Sequence, residues 1–402
     1  MPNRMIQKLF TSYAPKLAAS RQPLKNIKAI QSISQCRTAG MGASYYACED
    51  QHSFIEQFHS CRHRSCYLCA QQKRLEWIEK QKSRLLNRPH FHVVFTMPHE
   101  YLSIWRYNEA VMTGLIFKAS KETLMELLEN ERYQGISPGI LMGLHTWGRQ
   151  LNLHPHTHCL VTAGGLDFKG EWKDSGDYLL PVRVVKRVYR GKFQAYLKAA
   201  FDSGELKLPP DLERGKFIFT HRQLYKKEWS VRIEERYEHG KGVMLYLARY
   251  LKGGPLNPSQ IKYDDEGNIG LRYLDHRDKR IKSLKIKPEQ LISRLLDHVP
   301  AIGCHTMRYY GVYAPSSKKR YEVCLKKWGN LEEVEAGSSL KETSLVLYCK
   351  ACGKKAPLIY RAWPKRKKGN SFIRSSSGCS GSVQQNDDTD VARVPVARTP
   401  DT

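Results

Sequence analysis

The chain has 402 residues, and its 66 Lys and Arg side chains against 39 Asp and Glu leave a net charge of +27 at neutral pH. A positive field of this size attracts nucleic acid by counterion release and speeds the encounter, although a ribosome-associated or membrane-surface protein would have a similar charge. The sequence has no apolar run long enough to span a membrane. Composition therefore argues against a membrane-spanning protein and favours a polyanionic partner.

The N-terminal residues 1–47 contain no acidic residue, whereas Lys and Arg recur throughout them. This composition superficially resembles a transit peptide, but a basic arm or first helix that contacts DNA fits the rest of the chain better. Residues 48–88 follow, with a cysteine cluster and then the apolar spacing of an amphipathic helix through Leu75, Ile78, Leu85 and Leu86. We therefore expect a basic arm followed by a small cysteine-rich module.

Four of the 11 cysteines lie close together in the sequence, namely Cys48, Cys61, Cys66 and Cys69. No secretory signal is visible, so we expect a reducing compartment and a metal site rather than disulfides. Four thiolates would form a closed, tetrahedral structural zinc site. For the fourth ligand, His52 and His63 are alternatives to a cysteine.

Residues 89–315 mix strand-like runs, Phe91 to Thr96 and His158 to Thr162, with helical stretches such as Glu109 to Leu128. This range is long enough for one sizeable domain. The mixture predicts a layered α+β fold.

Three histidines, His154, His156 and His158, stand at alternate positions of a strand-like segment. Alternate residues of a strand point to the same face, so the imidazoles are predicted to converge and to hold a divalent metal ion. Gly164 and Gly165 follow, where a backbone or a ligand could approach closely. This segment is the predicted catalytic metal site.

Two similar patterns are interpreted as structural. His90 and His92 lie in an apolar run typical of a buried strand, where ordinary hydrogen bonds are the commoner role of a histidine pair. Tyr309 and Tyr313 are spaced like helical neighbours, but Gly311 lies between them and is a poor helix former.

A second tyrosine pair, Tyr246 and Tyr250, is followed by Gly253-Gly254-Pro255 and fits a short helix. Residues four apart on a helix are neighbours, so the two phenols would be presented together as nucleophiles. Tyr is weakly nucleophilic at its usual pKa of about 10, and the cationic neighbours Arg249 and Lys252 would favour the phenolate and contact DNA. Metal and paired tyrosines together predict phosphodiester cleavage with a 5′-phosphotyrosine and a free 3′ hydroxyl as products. The alternative is that one tyrosine catalyses and the other packs.

The C-terminal part divides into a basic extension, residues 316–366, and a Ser-, Gly- and Asp-rich tail from 367 that we expect to be disordered. The extension contains a second Cys-x2-Cys pair, Cys349 and Cys352, with no obvious partner pair, although Cys324 lies upstream. The remaining thiols are interpreted as ordinary buried or surface cysteines: Cys36, Cys159, Cys304 and Cys379.

The order of these segments resembles the transposases of the insertion-sequence ninety-one family, which are rolling-circle enzymes of the His-hydrophobic-His (HUH) endonuclease superfamily. Four stretches carry the resemblance: Ser60 to Cys69, His92 to Pro98, His145 through the histidine segment to Gly165, and Tyr246 to Tyr250. It continues into Asp297 to Pro300 and Arg308 to Gly311 and covers residues 36–315. The ordered combination is far more specific than any one motif.

The resemblance implies an antiparallel central sheet that carries the histidines, with the tyrosine helix packed beside it. The family's metal motif falls on His156 and His158, with Thr157 where the family has an apolar residue; a β-branched Thr still suits a strand. The third ligand varies within the superfamily, and His154 and His92 are the candidates here. The expected cofactors are catalytic Mg²⁺ or Mn²⁺ and structural Zn²⁺.

The family also has a second cysteine three residues after the position of Cys48, where this chain has Gln51. The resemblance further implies a bacterial, cytoplasmic enzyme that associates with the nucleoid when bound. Its expected partners are single-stranded DNA at transposon ends and target DNA. Two rivals stay open: a plasmid or phage replication initiator or relaxase with the same chemistry, and a catalytically inactive DNA-binding protein.

Overall fold

A computed structural model describes residues 4–19, 22–238, 255–256, 258–263, 267–275, 277–331 and 347–364. Four predicted functional residues, Tyr246, Arg249, Tyr250 and Lys252, lie outside the described residues, as does the tail from 367. The described residues up to 363 belong to one compact unit.

The helices of this part of the chain are α1 (Met5–Ala19), α2 (Leu24–Gln35), α3 (Tyr67–Lys82), α4 (Leu102–Tyr107), α5 (Glu109–Glu129), α6 (Val182–Asp202), α7 (Arg214–Lys226), α8 (Pro288–Asp297) and α9 (Lys318–Trp328). Short 3-10 turns span Ala39–Met41, His99–Tyr101, Pro258–Gln260 and Pro315–Ser317. α5 buries Met112, Ile116 and Leu124 on one stripe, as a helix with one face on the core requires. α8 begins at Pro288, where the missing N–H is one the helix could not pair in any case.

The strands are β1 (Ala43–Ala47), β2 (Phe54–Phe58), β3 (His90–Thr96), β4 (Ser137–Trp147), β5 (Leu153–Leu166), β6 (Trp172–Asp174), β7 (Val231–Tyr237), β8 (Ile261–Tyr263), β9 (Ile269–Leu274), β10 (Ile281–Ile286), β11 (Met307–Gly311), β12 (Leu347–Tyr348), β13 (Lys355–Ala356) and β14 (Leu358–Ala362). The predicted strands at residues 91–96 and 158–162 are therefore present within β3 and β5, and the helix predicted from residue 109 is α5.

The largest sheet has the order β11-β4-β5-β3-β7, with β6 added beside β5. Every pairing within it is antiparallel. Two three-stranded sheets, β14-β1-β2 and β10-β9-β8, and a small β12-β13 hairpin complete the described strands. The predicted α+β fold with an antiparallel central sheet is confirmed.

The two faces of the central sheet differ in chemistry. Phe91, Val93 and Phe95 of β3 point into the main core, which α4 to α7 cover. Alternate residues point the other way, and there Leu141 of β4 and Leu160 of β5 form a smaller apolar cluster. The histidines of β4 and β5 are separated from these two leucines by even numbers of residues along their strands, so they lie on the same, second face of the sheet.

Gly165, in the glycine pair that follows the histidines, is closely approached by another part of the chain. A Cβ atom at this position would lie 2.4 Å from the backbone oxygen of Ser137. The close approach is therefore that of strand β4 and not that of a ligand.

The N-terminal residues form helices that contribute to a core. Ile6, Leu9 and Phe10 of α1 and Ile30 and Ile33 of α2 are buried in a second apolar cluster. The C-terminal β14 pairs with β1, and Tyr45 stacks on Tyr360 with 4.5 Å between the ring centroids. The two ends of the compact unit thus share one small sheet. No helix in the described ranges is long and apolar enough to cross a membrane.

Candidate active site

Three histidines converge on the second face of the central sheet. His156 and His158 stand two residues apart on β5, and His145 of β4 pairs directly with His156 in the antiparallel register. One ring nitrogen from each of the three lies within 4.8 Å of those of the other two. The ring centroids of His145 and His158 are 4.5 Å apart, and those of His156 and His158 are 4.8 Å apart. This spacing would allow one metal ion to contact all three imidazoles.

The hydrogen bonding of His156 and His145 determines where their lone pairs lie. Nδ1 of His156 lies 2.6 Å from the carbonyl oxygen of His154, so Nδ1 carries the proton and donates it. The lone pair of His156 is then on Nε2. Among the residues that the structure describes, the buried Nε2 atom of His145 has no hydrogen-bond partner. A buried polar atom of this kind is costly unless something binds it, and a divalent ion fits both that atom and the donor set.

His92 supports the cluster from β3. Its Nε2 atom lies 2.8 Å from Nδ1 of His158. When His158 donates this hydrogen bond, its own lone pair is on Nε2, the arrangement usual for a metal-ligating histidine whose other nitrogen is held by a neighbour. His92 thus contacts His158 but is not one of the three grouped histidines.

The third member of the group differs from the candidates that the sequence suggested. The ring of His154 lies 5.2 Å from that of His156, but the grouped imidazoles are those of His145, His156 and His158. His145 belongs to the group because strand β4 runs beside β5 and places its ring near both other members, with its centroid 4.5 Å from that of His158 and 5.6 Å from that of His156. Sequence reasoning included His145 in a family-like stretch without giving it a role.

Burial keeps these histidines neutral. It lowers the pKa of His156 to about 4 and the pKa values of His145 and His158 well below their usual 6.5. The neighbouring positive charge of Arg232 lowers the pKa values of His156 and His158 further. Neutral imidazole is the form that binds metal, so the protonation state of the cluster at neutral pH is compatible with a bound ion.

Arg232 lies next to the histidine cluster. It pairs with Val94, which pairs in turn with His158, and residues directly opposite each other in a sheet share a face. Its side chain is 69% exposed. An exposed guanidinium can bind the phosphate of a nucleic acid, and sequence reasoning missed this residue because β7 is distant from β5 in the chain.

Thr157 points away from the histidines and into the helical layer. Its hydroxyl oxygen lies 3.0 Å from that of Ser120 on α5, and the residue is fully buried. A polar residue at an apolar family position is thus tolerated because a helix side chain provides a hydrogen-bond partner.

The other histidine and tyrosine patterns have structural contacts. Nδ1 of His90 donates to the carbonyl oxygen of Arg88 at 2.8 Å, so its Nε2 accepts a hydrogen bond from the hydroxyl of Tyr313 at 2.9 Å. The Tyr313 hydroxyl also accepts the backbone N–H of Leu86 at 3.1 Å. Tyr309 lies on β11, and its hydroxyl donates to Gln81.

A cluster of four cysteines lies beside the N-terminal core: Cys36, Cys61, Cys66 and Cys69. The Sγ atom of Cys69 lies 3.5 Å from that of Cys36 and 3.7 Å from that of Cys61. The thiolate is the form of cysteine that binds zinc. Four cysteines suit a closed structural zinc site.

The composition of this cluster corrects the predicted grouping. Cys36, interpreted as an ordinary thiol, lies where Cys48 was expected. The hairpin of β1 and β2 is the reason: Ala43 pairs with Phe58, so Cys36 before the hairpin meets Cys61 after it. Cys48 lies at the far end of that hairpin, grouped with His52, Cys349 and Cys352.

Comparison with known proteins identifies the class. The family "Transposase zinc-binding domain" matches residues 5–97, and the family "Putative transposase" matches residues 139–320. The first range holds the four-cysteine cluster, and the second holds the histidine cluster. Both families are transposase families, so the chain is a transposase.

Two relatives agree with this assignment. The "Putative transposase y4qJ" of Sinorhizobium fredii is 34% identical over 312 residues, which are 75% of this chain and 78% of the relative. The "Transposase for insertion sequence element IS801" of Pseudomonas savastanoi pv. phaseolicola is 28% identical over 295 residues, 72% of this chain and 70% of the relative. No solved structure matches the chain. The chain belongs to the insertion-sequence ninety-one family of transposases.

Proposed function

We propose that this transposase nicks and rejoins single-stranded DNA at the ends of an insertion sequence through a 5′-phosphotyrosine intermediate, as part of rolling-circle transposition in the bacterial cytoplasm. The observation that supports the proposal most directly is the group of three neutral imidazoles, His145, His156 and His158, on one face of the central sheet. Such a group serves no evident packing purpose, because it buries a nitrogen of His145 that has no hydrogen-bond partner within the part of the chain that the structure describes.

The histidines would hold Mg²⁺ or Mn²⁺ through their ring nitrogens. The hydrogen bond from His156 to the carbonyl of His154 and the contact between His158 and His92 would keep both rings in place. A bound divalent ion would supply charge stabilisation at the non-bridging oxygens of the scissile phosphate and at the leaving oxygen.

Tyr246 and Tyr250 are the proposed nucleophiles, although they lie outside the described residues. The phenol loses its proton to solvent, its oxygen forms a bond to phosphorus, and the bond between phosphorus and the 3′ oxygen breaks. The departing oxygen takes up a proton and becomes a 3′ hydroxyl. Because the phosphotyrosine conserves the phosphodiester bond, a hydroxyl can reverse the attack and rejoin DNA without ATP. A pair of tyrosines would hold one strand end while a second is cut.

The surroundings suit a DNA strand. The net charge of +27 favours binding by counterion release, and exposed Arg232 lies on the same face as the histidines. Arg249 and Lys252, which are close in sequence to the tyrosines, are proposed to contact the phosphates as well. A single DNA strand is unpaired and unstacked, so its backbone can reach the proposed metal site more readily than that of a duplex.

The decisive experiment is adduct formation with labelled single-stranded oligonucleotides that span the ends of the element. The purified chain is incubated with Mn²⁺ or with EDTA and then denatured. We expect a Mn²⁺-dependent protein–DNA adduct that peptide mapping assigns to Tyr246 or Tyr250. Tyr246→Phe and Tyr250→Phe should each lose linkage at one step, and the double variant should lose it entirely.

Matched controls use residues of the same type away from the site. Tyr107→Phe, at a half-exposed tyrosine on α4, should form adduct normally. The combined His156→Ala and His158→Ala variant should bind DNA but not cleave it, whereas His99→Ala, at an exposed histidine, should cleave normally. Adduct formation by the double tyrosine variant would refute the assignment of the nucleophiles. Binding without any adduct on authentic ends would support an inactive DNA-binding protein instead.

A further inference from the structure

Two hairpin turns that are distant in the sequence lie next to each other in the structure. One joins β1 to β2 and carries Cys48 and His52; the other joins β12 to β13 and carries Cys349 and Cys352. One ligand atom from each of the four residues lies within 4.8 Å of the others. We propose that these residues form a second structural zinc site, which fastens the C-terminal segment 347–363 to the N-terminal module.

Both turns have a backbone shape that presents metal ligands. In the first, the N–H of Cys48 donates to the carbonyl of Ser53 at 3.2 Å, and the chain turns through Gln51 at φ +56°. In the second, the N–H of Cys349 donates to the carbonyl of Lys354 at 2.8 Å, and the chain turns through Gly353 at φ +71°. Each turn thus closes on itself and leaves its cysteines directed at the other turn.

The sulfur spacing suits a shared ion better than a disulfide. The Sγ atoms of Cys48 and Cys352 are 3.4 Å apart, whereas a disulfide bond is about 2.0 Å long. Two thiolates on one tetrahedral zinc ion lie about 3.8 Å apart, because each Zn–S bond is about 2.3 Å. Two pairs of Sγ atoms in the four-cysteine cluster are 3.5 and 3.7 Å apart. The sulfur–sulfur distances in the two groups are therefore similar.

The C-terminal segment needs such a link because it has almost no core of its own. Within residues 347–363 the buried side chains are those of Cys349 and Ala356, while β14 is exposed along most of its length. An ion pair between Lys354 and Asp50 joins the turns at 2.8 Å, but a surface pair of this kind contributes little. Metal binding supplies folding free energy to segments that cannot bury enough apolar surface.

The two proposed zinc sites would lie at opposite ends of one hairpin. The first cluster contains Cys36 and Cys61, which flank the open end of β1 and β2, and the second lies at the turn between those strands. A hairpin tied at both ends would give β14 a rigid edge to pair with. The second site would therefore decide whether the C-terminal segment stays attached.

The test is the zinc content of the full chain, measured by mass spectrometry of the metal against polypeptide concentration. The wild type should hold one equivalent for each of the two cysteine groups. Cys349→Ser with Cys352→Ser should lose one equivalent and keep the other, which also shows that the N-terminal module is folded. Cys304→Ser, at a thiol outside both groups, should keep both.

Substitution of His52 provides an independent check. His52→Ala should weaken the second zinc, and His52→Cys should restore it, because a fourth thiolate replaces the imidazole. In the Cys349→Ser and Cys352→Ser variant, limited proteolysis should release the segment beyond residue 347 at least tenfold faster than in the wild type. Equal zinc content in the wild type and this variant would overturn the proposal. A Cys48–Cys352 disulfide that persists in protein kept with a reducing agent would overturn it as well.

Discussion

Replacement of His145 by alanine tests the metal-site geometry most directly. His145 pairs across the sheet with His156, and its buried Nε2 atom has no hydrogen-bond partner within the described residues. Loss of a residue that only orients a ligand weakens metal affinity about 10- to 100-fold. Loss of a ligand itself should exceed that range, so we expect Mn²⁺ affinity to fall by more than about 100-fold, or more than about 2.7 kcal/mol.

The matched control is His154→Ala. The hydrogen bond that orients His156 goes to the backbone carbonyl of His154, which alanine keeps. We therefore expect a change in Mn²⁺ affinity of less than about tenfold for this variant. His145→Gln keeps an uncharged side chain whose amide oxygen can coordinate a metal ion. This variant should therefore recover part of the Mn²⁺ affinity that is lost in His145→Ala.

Free Mn²⁺ is followed by electron paramagnetic resonance during titration of each variant, so the measurement does not depend on cleavage. Thermal unfolding without added Mn²⁺ reports whether each variant is folded. If His145→Ala binds Mn²⁺ like the wild type while His154→Ala loses it, the register-based assignment is wrong. The third ligand would then be His154, as alternation along one strand suggested.

The remaining predictions concern stability. Tyr313→Phe should lower the free energy of unfolding by about 2–5 kcal/mol, because it leaves His90 and a backbone N–H buried without partners; chemical denaturation measures it. Gly165→Ala should cost about 1–3 kcal/mol, because its Cβ would lie 2.4 Å from the backbone oxygen of Ser137. Burial lowers the pKa of His90 from 6.5 to about 4, so the unfolded chain binds a proton that the folded chain does not. The free energy of unfolding should therefore fall by about 3 kcal/mol for this residue as pH decreases from 6.5 to 4.

Controls for these measurements use exposed positions. Tyr178→Phe, at a tyrosine that is 60% exposed, should leave stability unchanged. Gly170→Ala tests backbone conformation without crowding, because φ there is +82° and no atom of the described residues lies within 4 Å of the added Cβ. Stability that rises as pH falls through this window would contradict the neutral state of His90. An unchanged midpoint for Tyr313→Phe would contradict its hydrogen-bond network.

Much of the fold was predictable because its signals are local. The apolar run at residues 91–96 predicts a buried strand wherever that strand lies in the sheet, and it is β3. The apolar stripe of α5 likewise follows from the spacing of residues within one helix. The alternation of His156 and His158 predicts a shared face, because the pleat of a strand repeats every two residues.

Contacts between separate segments are harder to predict from sequence. The short spacing between Cys48 and Cys61 predicts that they share a site, whereas the β1–β2 hairpin brings Cys36 to Cys61 and carries Cys48 away. The sequence shows no partner for Cys349 and Cys352 because the residues grouped with them, Cys48 and His52, lie far away in the sequence. Sequence distance is a poor guide here, since antiparallel pairing places the residues before and after a hairpin side by side.

The sequence by itself determined what is encoded within single elements: the basic charge, the strand with alternating histidines, the Cys66-x2-Cys69 turn, and the ordered motifs of the transposase family. The tertiary structure decided which elements meet. Strand register paired His145 with His156, and hairpin closure divided the cysteines between two groups. The physical reason is that local spacing acts through the geometry of one helix or strand, whereas register and closure depend on the summed burial and hydrogen bonding of residues far apart in the chain.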